Sequence, residues 1–161
     1  MVKSNDYPEI VRLQGDIITP YCINEVEIDD DARTRTEYQY LEHRVPDTGQ
    51  QLPDEHQQRG IVYAACEADL HAHVFARYPV SSQTSILAHF MRAQMAGRND
   101  IIEACEAVQT WCSSCVSYFR SLIAATYSQD PLTVSWDFAA NCPAQLDLLS
   151  LGDIETMWEQ T

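Results

Sequence analysis

Residues 99–127 constrain this chain more than any other stretch. Ile101, Cys105, Val108, Cys112, Cys115, Phe119 and Leu122 recur at spacings of 4, 3, 4, 3, 4 and 3. That is the heptad pattern of an α-helix with one continuous apolar seam. Ile102, Trp111, Val116 and Ile123 widen the seam, and Arg120 is the one charge between Ser113 and Thr126. Asn99 suits the N-cap and Asp100 the first turn, where a carboxylate meets the positive helix end. The whole chain carries 24 Asp and Glu against 10 Lys and Arg, a net charge of −14. A broad apolar helix inside so acidic a chain belongs at the centre of a bundle or against another subunit.

Two more helices precede it. Val62, Cys66, Leu70, Val74 and Tyr78 fall four apart over residues 61–78, and Pro79 stops the run. Over residues 83–96 the apolar side is Ile86, Leu87, Phe90, Met91 and Met95, with Gln94, and Gly97 closes the helix. Beyond the long helix, Leu132, Val134, Trp136 and Phe138 alternate with Thr133, Ser135 and Asp137, which predicts a short strand. Pro143 then opens a last helical stretch, with Gly152 separating off Ile154, Met157 and Trp158.

The first 45 residues have a different texture, rich in β-formers. Strands are predicted at residues 10–13, 16–28 and 33–41, with Gly15–Asp16 as one turn and Asp29, Asp30 and Asp31 as another. Pro20 points to an edge or a break. Residues 33–41 alternate most cleanly. Arg33, Arg35, Glu37 and Gln39 fall on one face; Thr34, Thr36, Tyr38 and Tyr40 fall on the other. Residues 46–60 (PDTGQQLPDEHQQRG) are too polar for a core and read as a linker or contact arm. The expected architecture is therefore α+β: a small antiparallel β module (1–45), a polar linker (46–60), and a helical bundle (61–161) ending in a short strand and helix.

Charge and pattern exclude several function classes. Phosphate binding needs clustered Lys and Arg, so neither nucleic acid nor an anionic membrane surface is an expected partner. No apolar run approaches the roughly 18 residues of a membrane span, and the first twenty residues contain no export-type apolar stretch. Acidic residues divide evenly, 13 against 6 basic in residues 1–60 and 11 against 4 in residues 61–161, so there is no acidic tail. The chain has five glycines, none in a phosphate-binding motif, and no nucleophile elbow. It is expected to be no enzyme and to need no cofactor or metal.

Cys112-Ser-Ser-Cys115 is the most tempting motif, since C-x-x-C can hold zinc or exchange disulfides. Both members instead sit mid-helix on the apolar seam with Cys105, where small buried thiols need no chemistry. Zinc would require two further ligands. His71 and His73 are two apart and diverge by about 200° on a helix. The run Glu25, Glu27, Asp29, Asp30 and Asp31 fails the calcium-loop pattern: Thr34 stands at its sixth position and Tyr40 at its twelfth. Without an export signal, all six cysteines are expected as free thiols. The aromatic residues Tyr38, Tyr40, Trp111, Trp136 and Trp158, with Phe119 and Ile123 on the long helix, are the candidates for a protein interface.

Four segments resemble a class of small proteins of tailed bacteriophages that assemble or accompany tail fibres. YPEIVRLQGD resembles their short first strand. RTRTEYQYLEHRVPD is similar to their second strand and its Val-Pro-Asp exit. ARYPVSSQTSILAHF resembles their Arg-Tyr entry to a helix, and AVQTWCSSCVSY their Trp-bearing closing helix. The likeness spans roughly residues 1–120; the LTVSWDF tail lies outside it. It implies a non-enzymatic structural or assembly protein that docks to tail-fibre or baseplate proteins, with a homo-oligomer as a further possibility, made in the host cytoplasm and ending in the virion tail. The charge of −14 supports a second reading, an acidic inhibitor that mimics nucleic acid at a basic host site. A module stabilised by zinc at Cys112 and Cys115 is the third.

Overall fold

A computed structural model of the protein describes residues 1–30 and 33–160. Four strands come first: β1 (Val2–Ser4), β2 (Val11–Leu13), β3 (Asp16–Asp30) and β4 (Arg33–Pro46). Helices α1 (Glu55–Arg77), α2 (Val80–Ala96) and α3 (Asn99–Ala125) follow, then a 3-10 turn (Pro131–Thr133), α4 (Phe138–Asn141) and α5 (Leu151–Met157). The α+β architecture is as the sequence predicts. The chain groups into two compact units, one of Met1–Glu67 with Arg120–Trp136, the other of Ala68–Phe119 with Asp137–Thr161. The boundaries thus fall inside α1 and α3, not at the change of texture near residue 60.

In the first unit the strands form one antiparallel sheet in the order β1-β4-β3-β2. Gln14 and Gly15 both have positive φ (55° and 90°) between the paired Leu13 and Asp16. Such a two-residue loop twists in the sense that strands do. β3 and β4 pair over almost their whole lengths. One irregularity lies between Tyr21 and Asn24, where Cys22 takes a φ of 53°, so Cys22 and Ile23 together oppose Tyr40 as a bulge. Pro20 does not break the strand. β2 ends its pairing at Ile18, so past that point β3 has no β2 neighbour to need the missing N–H. The proximal half of β3 is buried on both faces, with Ile17, Ile18, Thr19, Cys22 and Ile23 in the core. From Asn24 to Asp29 no residue is fully buried, and Arg33, Thr34 and Arg35 opposite are exposed. Of the predicted acidic turn, Asp29 and Asp30 belong to β3, and Asp31 lies outside the described residues.

Three expectations are corrected. The predicted linker shortens to residues 47–54, because α1 starts at Glu55. Asp54 and Gln57 explain this: the Gln57 N–H donates to Asp54 Oδ1 and the Asp54 N–H to Gln57 Oε1, both at 2.9 Å. This reciprocal capping box starts the helix inside a stretch that looks too polar to fold. The predicted strand at residues 132–138 is instead a 3-10 turn and an unpaired extended run. Asp130 Oδ1 accepts from Leu132 N at 2.9 Å, and Pro131 fixes the first turn position. Leu132 and Val134 are still buried, so the alternation reports burial and not a ladder. The stretch opened by Pro143 is not helical up to Ser150. Gly152 lies inside α5, which a Ser150–Asp153 capping box starts.

The second unit is all-helical. Leu70, Val74 and Tyr78 of α1 and Ile101, Cys105, Val108 and Cys115 of α3 are buried there, as their spacing predicts, whereas Cys112 and Phe119 of the same seam are half-buried and Trp111 beside it is buried. Gly97 caps α2 in the left-handed conformation (φ 69°), donating to the Ala93 carbonyl. Phe138, Cys142, Leu148 and Ile154 add the apolar contribution of the C-terminal segment.

Candidate protein-interaction surface

Helix α2 is the one long helix whose apolar residues are not mainly spent on the core. The sequence puts Leu87, Met91 and Met95 on the buried side with Ile86 and Phe90. The structure turns the helix so that Ile86 and Ala93 are buried while Leu87 and Met91 are each 59% exposed and Met95 is 91% exposed. Val80 is also exposed. Small Ala93 is fully buried, and the larger residues are turned outward. Val80, Thr84, Leu87 and Met91 follow one another at spacings of 4, 3 and 4, so the outward face keeps a coiled-coil-like seam.

Beside that seam runs an apolar groove of about 210 Å³. Gln83, Ile86, Leu87 and Phe90 of α2 form one wall, and Cys105, Val108, Gln109 and Cys112 of α3 the other. No carboxylate lines it, and α2 contains no Asp or Glu at all, in a chain of net charge −14. Full burial of a Leu or Met side chain contributes about 1.5–3 kcal/mol. Covering Leu87 and Met91 by a partner would therefore supply a useful share of a binding energy without desolvating a carboxylate of α2.

Cys112 faces this groove and is half-buried; Cys115 is fully buried. Burial pushes both thiols up, Cys115 to about 12, with Cys142 hydrogen-bonded beside it as the next cause. A thiol so raised is neither a nucleophile nor a ready metal ligand. Cys105, Cys112, Cys115 and Cys142 are free thiols. No group of three His, Cys, Asp or Glu side chains among the described residues could hold a metal ion.

A second surface lies on the distal β3–β4 hairpin. Directly paired residues share a face, so Glu25, Glu27 and Asp29 line up beside Tyr38, Thr36 and Thr34. The Thr34 hydroxyl donates to Asp29 Oδ1 at 2.7 Å. The other face carries Val26 and Ile28 with Glu37 and Arg35. Glu37 is buried there. Hydrogen bonds from Lys3 (2.9 Å) and Gln39 (3.0 Å) hold its carboxyl below the usual carboxylate range.

The predicted interface residues are scattered. Tyr38 and Tyr40 are half-buried on β4, with Tyr7 edge-on to Tyr38 at 5.3 Å. Trp136 stacks on Tyr21 at 6.2 Å. Phe119 and Ile123 are half-buried on α3. Trp158 packs beside His89. Trp111 is no surface residue: it is 5% exposed, and its indole N–H donates to the Cys142 and Pro143 carbonyls at 3.2 Å. A donor satisfied internally leaves nothing for a partner to recognise. The exposed apolar residues Val80, Leu87, Met91 and Met95 are not among the residues predicted for an interface. Their spacing is visible in the sequence, but it does not say which side of a largely uncharged helix faces outward.

The chain matches no protein-family model, no curated protein and no solved structure. No helix among the described residues is long and apolar enough to cross a membrane.

Proposed function

We propose that this chain is a non-enzymatic protein that works through protein–protein contacts. We propose further, on the four segments that resemble fibre-associated proteins, that its partners are tail-fibre or baseplate proteins of a tailed bacteriophage. The observation that carries the first step is the outward seam of α2. Leu87, Met91 and Met95 stand exposed beside an apolar groove that no carboxylate lines. An uncovered apolar strip flanked by polar residues is the usual mark of a contact site, and covering α2 desolvates no carboxylate of that helix.

Co-expression with the candidate fibre and baseplate proteins tests the proposal. The wild-type chain is expected to co-purify with one of them or to be found in purified virions. Leu87→Glu with Met91→Glu is expected to abolish that association while leaving the circular dichroism spectrum unchanged. Equal retention of the double variant would overturn the role of α2. Absence of any association would overturn the phage reading.

The hairpin gives the acidic-mimic reading one specific support. Glu25, Glu27 and Asp29 stand in a row on one face, about 7 Å apart along the strand. Binding to a basic host protein that weakens steeply with salt, and is lost in Glu25→Gln with Glu27→Gln, would favour that reading over the α2 surface.

A further inference from the structure

We propose that His89 and Trp158 form a pH-sensitive latch that fastens the C-terminal helix α5 to α2. The Trp158 indole N–H donates to His89 Nδ1 at 2.9 Å. Indole is a donor only, so this bond requires an unprotonated Nδ1. The imidazole proton then sits on Nε2, which faces Glu155 Oε1 at 3.8 Å. Nδ1 thus accepts a hydrogen bond from the residue that ends α5, and Nε2 lies within charge-contact range of a carboxylate on α5. Trp158 follows directly on the last residue of that helix.

Protonating His89 puts a second hydrogen between the imidazole and the indole. Two N–H groups cannot face each other at 2.9 Å, so Trp158 must give up its bond. The other charged groups around the pair act in both directions. Arg92 of α2 lies 4.0 Å over the Trp158 ring, and Arg98, in the turn before α3, lies 5.7 Å from it. A third positive charge beside these two is unfavourable. Glu155 of α5 favours the imidazolium and would keep the ring near α5 after the indole has left. Asp100 of α3 is bidentate to Arg98 and offsets part of that cation's charge.

Release is therefore partial. Arg98 also donates to the Met157 carbonyl at 2.8 Å, and that bond does not depend on His89. Acid loosens Trp158 and the residues around it while Arg98 still holds the end of the helix. Histidine is the side chain that modest acidification from neutral pH protonates, which is why this pair is the one tested.

The test follows the indole N–H resonances of the full-length ¹⁵N-labelled chain from pH 7.5 to 5.0, with Trp158 assigned by its absence in Trp158→Phe. The Trp158 signal is expected to shift with the same midpoint as the His89 ring protons, and its solvent exchange to quicken about tenfold, the value of one lost hydrogen bond. In His89→Gln the amide oxygen can still accept, and the signal is expected to stay protected and not to titrate. Glu155→Gln is expected to move the midpoint lower without abolishing it. A Trp158 signal that ignores pH in the wild type, or still titrates in His89→Gln, would overturn the latch.

Discussion

The Trp111 indole nitrogen lies 3.2 Å from the Cys142 carbonyl oxygen, thirty-one residues away, and donates to it from inside the core. The same carbonyl accepts from His73 Nε2 at 3.0 Å. The Cys142 thiol reaches the Ser114 carbonyl at 3.8 Å. One residue of the α4 exit is thus fastened by three others, and residues 137–161 are tied to α3 by polar bonds as well as apolar packing. Trp111→Phe keeps most of the ring volume but removes the indole donor from the buried Cys142 carbonyl, which keeps only His73, and from the part-buried Pro143 carbonyl. It is expected to cost about 1–3 kcal/mol in urea unfolding. Trp111→Ala also opens a cavity and is expected to cost about 3–5 kcal/mol. If the two variants cost the same, the polar bond is the main contribution of Trp111.

Thr19 presents the opposite case. Its side chain is 1% exposed and its hydroxyl has no hydrogen-bond partner. A buried, unpaired hydroxyl costs free energy that an isosteric methyl does not. Thr19→Val keeps the β-branched shape and its strand preference. It is expected to stabilise the protein by about 1 kcal/mol, read as a higher urea midpoint at unchanged slope. A destabilised Thr19→Val would show that the hydroxyl is satisfied in solution.

Much of this fold was legible where one physical signal decided it. Val62 to Tyr78 and Ile101 to Leu122 are periodic over several turns, and Gly97 has one cheap role at a helix end. Residues 33–41 alternate because a strand must, and the pairing of β3 with β4 follows. Legibility failed where two signals compete. Asp54 and Gln57 lie in a stretch whose composition says linker, yet two side-chain bonds suffice to start α1 there. Leu132, Val134 and Trp136 alternate without a partner strand because Asp130 and Pro131 commit the chain to a 3-10 turn. For the candidate surface, the sequence locates an apolar α2 but not its rotation. That is fixed by Ala93 and Ile86 packing inward, a tertiary choice that no local pattern encodes.

The acid limb of stability should come from a few paired carboxylates. Glu37 is held low first by its hydrogen bond from Lys3 and then by that from Gln39. Asp47 is held low by Arg12 and by the Gly49 N–H, Asp100 by Arg98, and Asp153 by its capping bonds with Ser150. A carboxyl with a lowered folded pKa binds fewer protons in the native state than in the unfolded chain. Its contribution is therefore complete above the unfolded value near 4 and is lost as pH falls through the lower folded value. Glu37→Gln is expected to be less stable than wild type at pH 7, with the difference shrinking below about pH 4. Urea unfolding at intervals between pH 7 and 2.5 measures it; a gap independent of pH would remove Glu37 from the account.

Cys112 and Cys115 should behave differently although only two residues separate them. Cys112 is half-buried and borders the α2 groove, whereas Cys115 is fully buried, with burial first and the neighbouring Cys142 second pushing its thiol up to about 12. At pH 8 an ordinary thiol near 8.5 is about a quarter ionised, while one near 12 is ionised to about one part in ten thousand. Only the thiolate alkylates. Native protein treated with iodoacetamide at pH 8 is expected to be labelled at Cys112 first, because it borders the groove, with Cys115 far slower until urea opens the core. The sign for stability is the reverse of the carboxylates. A raised thiol is protonated longer in the folded state, so its contribution is complete below about pH 8.5 and falls as pH rises toward the folded value. Cys115→Ala is expected to lose that alkaline limb, at the cost of a small cavity. Peptide mapping that finds Cys115 alkylated as fast as Cys112 in the native chain would show that α3 is not buried at this turn.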